Sequence, residues 1–258
     1  MARLGAFRRA PLEALVVWQA LALAAILSAL SVAPAAAATQ AAPSLVTVAA
    51  ALFSGAMLAR LLWSGHRVGT RLRAERRRHR QLVDVLGTHH DAQVRVLAHP
   101  TPTAYCLPGR EHRVVLTEGT LLALPDEELL AVLAHERAHL RQRHDLVLEF
   151  FTVLHEAVPR WVRAHQALRE VRLLVEVLAD RSARRCAGPV VLARALVSLA
   201  GGAHPDTALA AVETASATRE RMALLAGPPA PAALRAAMLV FAAAVLATPC
   251  VLLGVALG

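Results

Sequence analysis

The chain predicts a mainly α-helical integral membrane protein, with about three transmembrane helices and a small antiparallel sheet in its central part. Three observations predict this. Apolar residues make up 56% of the 258 residues while aromatics are only 3%, an excess over the roughly 45–50% of soluble chains that membrane segments explain better than a larger core. Three nearly uncharged runs, 12–33, 45–63 and 232–257, reach the roughly 20 residues that a bilayer requires. Between the second and third lie amphipathic helical patterns interrupted by short β-rich runs.

The first run, Leu12 to Ala33, carries only Glu13 at its edge, and Arg3, Arg8 and Arg9 precede it, which predicts a cytoplasmic N-terminus. An anchor fits its length. A cleaved signal peptide is the alternative, because Ala35 to Ala38 resemble a cleavage site. A loop is expected from Pro34 to Ser44. The second run, Leu45 to Trp63, is broken only by Arg60, which can snorkel beside Trp63. Seven arginines follow between Arg67 and Arg80. This is the strongest positive-inside signal in the chain, and it predicts a cytoplasmic central region under either reading of the first run. No aromatics are interleaved for base stacking, so contact with anionic headgroups is expected and direct nucleic-acid binding is not.

Residues 71–90 predict a separate helix ending near Gly87, followed by the polar cluster His89, His90 and Asp91. Strands are expected at 94–97, 103–107 and 113–117, the last two forming a hairpin whose Leu107-Pro108-Gly109-Arg110 suits a type II turn. Pro125 and the acids Asp126, Glu127 and Glu128 then open a helix with the apolar body Leu129 to Ala134.

That helix carries His135, Glu136 and His139, the pattern H-E-x-x-H. Residues four apart lie on one helix face, so both imidazoles can close on one metal ion, and zinc suits that pair. Glu136 can reach past the metal toward a water as general base. The third ligand expected is Glu176, 37 residues after His139, in V-E-V-L-A-D-R. Asp180, one turn on, can accept the free N–H of a ligand histidine and fix its tautomer. A solvated acidic face beside Arg172 and Arg181 is the alternative for this pair.

Taken together, H-E-R-A-H-L-R-Q-R-H-D, V-E-V-L-A-D-R-S-A, A-Y-C-L-P-G-R-E-H-R-V-V-L-T-E-G and R-M-A-L-L-A-G-P-P-A-P resemble the BlaR/MecR-type membrane zinc metallopeptidases, in particular short actinobacterial members without a sensor domain. The HtpX-like peptidases are more distantly similar, usually with membrane helices between the two zinc motifs, where only 36 residues intervene here. The resemblance implies a zincin-type (gluzincin) α+β domain, zinc as cofactor, a strand edge that holds an extended protein or peptide substrate, and a transcriptional repressor as one candidate substrate. Members of that family often carry one further membrane helix ahead of the first span found here, and a misassigned start codon or a truncation would both fit. Quality-control proteolysis of membrane proteins and a non-catalytic zinc module are the alternative functions.

Beyond the motif, residues 145–158 are too short and charged for a span and predict an amphipathic helix, in which His155-Glu156 mimics the motif but Pro159 stands where its second histidine would be. Helices are expected at 166–187, 190–199 and 208–225, the first ended by Gly188-Pro189. His144, His165 and Tyr105 are candidates for transition-state or substrate contacts, with packing as the default for each. Cys106, Cys186 and Cys250 form no disulfide framework. Cys186 follows Asp180 closely enough to serve as a soft ligand, with packing as its default. All 28 basic residues are Arg, a composition suggesting a GC-rich bacterial genome and hence a bacterial cell membrane. The expected organisation is a membrane region at 1–64, a cytoplasmic metallopeptidase domain at 65–231 and a last membrane helix at 232–258.

Overall fold

A computed structural model describes residues 2–39, 44–109, 111–163, 165–202 and 208–257. The chain begins with helices α1 (Ala2–Arg8), α2 (Pro11–Ala38) and α3 (Leu45–Leu86), then strands β1 (Thr88–His89), β2 (Val94–Leu97), β3 (Ala104–Leu107) and β4 (Arg113–Thr117). Helices α4 (Glu118–Ala123), α5 (Asp126–Arg141) and α6 (His144–Ala157) follow. After a 3-10 turn at Arg160–Val162 come α7 (His165–Ala187), α8 (Pro189–Gly202), α9 (Ala208–Ala226) and α10 (Ala232–Leu257). By length and composition, α2, α3 and α10 can cross a membrane.

Two of these helices differ from expectation. Pro34 does not open a loop but lies within α2, which continues through the strong helix formers Ala35 to Ala38. The apolar run at 45–63 and the arginine-rich helix are one 42-residue helix, α3. Gly65 and Gly69 in the joint cost about 1 kcal/mol each in helix propensity, too little to break a helix whose Ser64 and Val68 are buried.

The chain folds as two compact units. Unit one comprises Met1–Gly69, Glu149–Val171 and Pro229–Gly258. Within it α2 packs along α10, and buried Glu13 accepts from Arg235 Nε at 2.5 Å. Ser64 donates to the carbonyl of Val153 at 2.7 Å, tying α3 to α6.

Unit two comprises Thr70–Leu148 and Arg172–Pro228. Its sheet has the order β1-β2-β4-β3. β3 and β4 are antiparallel, pairing Tyr105 with Val115 and Cys106 with Val114. β2 and β4, however, are parallel, so the sheet is mixed and not antiparallel as expected. The crossover 98–103 carries the chain past the next position, the hairpin reverses it, and β4 returns alongside β2 in the same direction. That crossover lies so close over Gly119 that a Cβ there would meet the Pro100 carbonyl oxygen at 2.0 Å. Strand alternation then serves two cores. Val114 and Leu116 face a cluster with Leu124, Ala131, Val132, Ala183, Leu192, Ala195 and Leu225, while Val115 faces Val83 and Leu107. Asp84, near the end of α3, lies 3.5 Å from Arg95 and 3.3 Å from Arg113, fastening that helix to the sheet. Gly109 takes φ +145°; Arg110, in the expected turn, lies outside the described residues.

Candidate metal centre

α5 starts with Asp126, Glu127 and Glu128 in its first turn, where acids complement the helix dipole. Ala131, Val132, His135 and Ala138 form its buried face, which commits His135 inward. α7 answers with Leu174, Val175, Val177 and Ala179, all buried, so Glu176 and Asp180, four apart, project together on one face.

The three ligand atoms converge. His135 Nε2 is 3.1 Å from His139 Nε2 and 3.4 Å from Glu176 Oε2, and His139 Nε2 is 3.6 Å from Glu176 Oε1. A tetrahedral zinc with bonds of about 2.0–2.1 Å needs donor separations of about 3.3 Å, so the set has the size of a zinc site. Two imidazoles and one carboxylate also match zinc in donor chemistry. Among the described residues no other group of three His, Cys, Asp or Glu side chains approaches this closely. His89 is in β1 and exposed.

Behind the ligands stands a second row of contacts. Asp180 is fully buried, with Oδ1 2.9 Å from His135 Nδ1. Arg221 of α9 donates to both Asp180 oxygens, Nε at 2.8 Å and Nη2 at 2.6 Å, and its Nη1 lies 3.3 Å from Glu176 Oε2. Burial alone would push the Asp180 and Glu176 carboxyls up. The Arg221 guanidinium and His135 outweigh it, bringing Asp180 below the usual range and Glu176 down to about 2. Burial likewise works against a charged His135, but contacts with Asp180 and Glu176 raise it to about 9. His139 goes the other way, lowered by burial to about 4.

His144 contacts the far nitrogen of His139. α5 ends at Arg141, and Arg143 adopts φ +52°, the left-handed conformation that often closes a helix. The chain turns there so that His144 Nδ1 comes 3.0 Å from His139 Nδ1, while His144 Nε2 is 3.2 Å from Gln142 Oε1. The amide oxygen only accepts, so His144 Nε2 carries the proton and its Nδ1 accepts from His139 Nδ1–H. His139 Nε2 is then left with its lone pair toward His135 and Glu176.

Glu136 lines a cavity of about 450 Å³ together with His135, His139, Glu176, Arg221 and, from β3, Ala104, Tyr105 and Cys106. Burial raises its carboxyl pKa. β3 is the outermost strand of the sheet, so its free edge borders this cavity. Val132 of α5 and Leu192, Ala195, Leu196 and Leu199 of α8 add an apolar lining. The Tyr105 hydroxyl is engaged by His79 Nε2 at 2.8 Å. His165 belongs to unit one, its ring 4.6 Å from that of His155. It begins α7 eleven residues before Glu176, about 16 Å along the helix axis, and so is not a wall of this cavity. Cys186 is exposed.

Three residues here had no role from sequence. Arg221 sits in the R-M-A-L-L-A-G string, but 41 residues separate it from Asp180 and nothing in its spacing names a partner. Cys106, half-buried beside Glu136, sits in a short β-rich run with nothing to mark it, and Gln142 carries no motif.

Residues 71–171 match the family model described as peptidase family M48. The match supports a metallopeptidase. It takes in His135, Glu136 and His139 and ends before Glu176, so the third donor rests on geometry. No curated protein and no solved structure matches the chain.

Proposed function

We propose that the protein is a membrane-anchored zinc endopeptidase of the M48 kind, with its catalytic unit on the cytoplasmic side. The observation that carries this reading is the convergence of His135, His139 and Glu176 at zinc-ligand separations in a cavity that also holds Glu136. A zinc ion bound there supplies Lewis acidity and lowers the pKa of water toward 7.

The chain's own residues do the rest. Glu136, whose raised pKa makes it a better proton acceptor than an exposed glutamate, takes the proton of the attacking water and passes it to the leaving amine nitrogen. Asp180 orients His135, and His144 with Gln142 orients His139. Arg221 holds both carboxylates of α7 in place. The free edge of β3 receives the substrate backbone as an added strand. The apolar wall from α8 shields the reacting bond from bulk water. The seven arginines between Arg67 and Arg80 support a cytoplasmic placement by the positive-inside rule.

The test is Glu136→Gln in the full-length protein. Zinc content should be unchanged, and cleavage of an unstructured polypeptide should fall by at least about 100-fold, the usual weight of a general base. Unchanged cleavage would overturn the assignment. Comparing new protein N-termini in cells carrying the two forms then identifies the substrate class. One cut in a DNA-binding repressor means signalling, and scattered cuts in membrane proteins mean quality control.

A further inference from the structure

Unit one contains a polar cavity of about 290 Å³, lined by Arg60, Trp63, Ser64 and Arg67 of α3 and by Glu156, Ala157 and Arg163 around the end of α6. The α3 members are spaced three or four apart, so they share one helix face. Arg60, Arg67 and Arg163 bring three guanidiniums, against the one carboxylate of Glu156, around this small space. Capping of α6 accounts for part of this: Arg60 Nε donates to the Ala157 carbonyl at 2.6 Å, and Arg163 Nε to the Val158 carbonyl at 3.4 Å. It occupies only Nε. Among the described residues neither guanidinium has a further partner, so the terminal nitrogens of both remain for an anion, a geometry suited to phosphate oxygens.

The depth of the cavity points to the source of that anion. Arg60 interrupts the apolar run of α3 near its end, and Leu58 and Leu62 beside it are 45% and 66% exposed. Trp63 is 65% exposed and Trp161, in the turn after α6, is 88% exposed. Exposed indoles beside arginines at the end of an apolar helix mark headgroup level in a bilayer. A lipid there would set its phosphodiester among the arginines and its chains along exposed leucines.

We propose that this cavity binds the phosphate headgroup of an anionic phospholipid, with Arg60 and Arg163 as the phosphate ligands and Trp63 at the glycerol level. Glu156 opposes a second negative group, which restricts the site to headgroups of low charge.

The test uses the full-length protein in neutral detergent, titrated with short-chain phosphatidylglycerol, with phosphatidylcholine and with inorganic phosphate. Bound lipid is counted by native mass spectrometry. Phosphatidylglycerol should bind at least about tenfold more tightly than phosphatidylcholine. Each arginine is worth about fivefold, so Arg60→Gln with Arg163→Gln should weaken binding on the order of twentyfold. Arg73→Gln with Arg77→Gln, on the same helix but outside the cavity, should change it less than about twofold. Equal losses from the two pairs would mean diffuse surface charge and overturn the site. Displacement of the lipid by inorganic phosphate at millimolar concentration would overturn the lipid assignment in favour of a free anion. Glu156→Gln guards against misfolding of the double variant, because it should tighten binding about fivefold. Unchanged affinity in that variant would equally overturn the proposal.

Discussion

Replacing His144 by leucine fills the space but removes the acceptor that His139 Nδ1–H meets at 3.0 Å. The metal-ready tautomer, with its proton on Nδ1, then keeps a donor without a partner on a side chain only 15% exposed. Leaving such a donor unmade costs about 1–3 kcal/mol. The other tautomer escapes the penalty by placing the proton on Nε2, where it blocks the metal. The cost therefore falls on zinc binding, as a loss of about 10–100-fold in affinity. His144→Gln, whose amide oxygen can accept the same proton, should recover most of that loss. Gln142→Leu should weaken binding less than His144→Leu, because it frees the tautomer of His144 without removing the acceptor. The assay is competition for zinc against a chromophoric chelator at fixed pH, with circular dichroism as the check on folding. A leucine variant whose zinc affinity stays within about twofold of the parent would refute the reasoning.

Metal loading should release a proton at neutral pH, since His135 titrates at about 9 in the metal-free protein while His139 and Glu176, at about 4 and 2, are already deprotonated. The logarithm of zinc affinity should rise by about one per pH unit from 7 to 9 and flatten above, measured by calorimetry in buffers of different ionisation enthalpy. The same raised value stabilises the metal-free fold below the ordinary histidine range near 6.5, and the contribution fades as pH climbs through 9, which urea unfolding at several pH values would register. Asp180→Ala strands Arg221 and His135 without their shared acceptor. It should cost about 3–5 kcal/mol of stability, whereas a change in melting temperature below about 2 °C would contradict the role given to this carboxylate. Arg235→Ala leaves buried Glu13 unpaired between α2 and α10. With Arg235 half-exposed the expected loss is about 1–2 kcal/mol, read as earlier thermal unfolding in detergent.

The parts legible in the sequence are those whose signal is local. The three long apolar helices declared themselves by runs of uncharged residues, and α5 by an acidic first turn followed by an apolar body with two histidines on one face. The strand ends at 94–97 and 113–117 followed from β-rich composition bounded by prolines and charge. What escaped was set by distant parts of the chain. Parallel pairing of β2 with β4 depends on where the crossover 98–103 lands, which packing over Gly119 decides. The fusion of span and basic helix into α3 was hidden by two glycines whose propensity cost the buried Ser64 and Val68 offset. At the centre, Glu176 and Asp180 were readable as an i,i+4 pair, but Arg221 was not, because a single arginine gains meaning only when α9 brings it to the carboxylates. His144 was readable as a histidine near the motif. Its direction, toward the back of His139, depends on the left-handed conformation of Arg143, and nothing in an Arg residue announces that.

With substrate received on β3 as proposed above, the position of that strand at the rim of the sheet makes the shape of a client as important as its sequence. A strand can be added only by a segment with its own backbone groups unpaired, so a bond inside a stable helix or sheet is invisible until that element opens. For a segment that opens locally at a cost of about 4 kcal/mol, only about one molecule in a thousand is cleavable at any moment, and turnover slows in proportion. An enzyme built this way grades proteins by local looseness. Anything that frays a neighbouring segment, such as release from a partner or loss of a bound ligand, becomes a trigger for cutting without touching the catalytic residues.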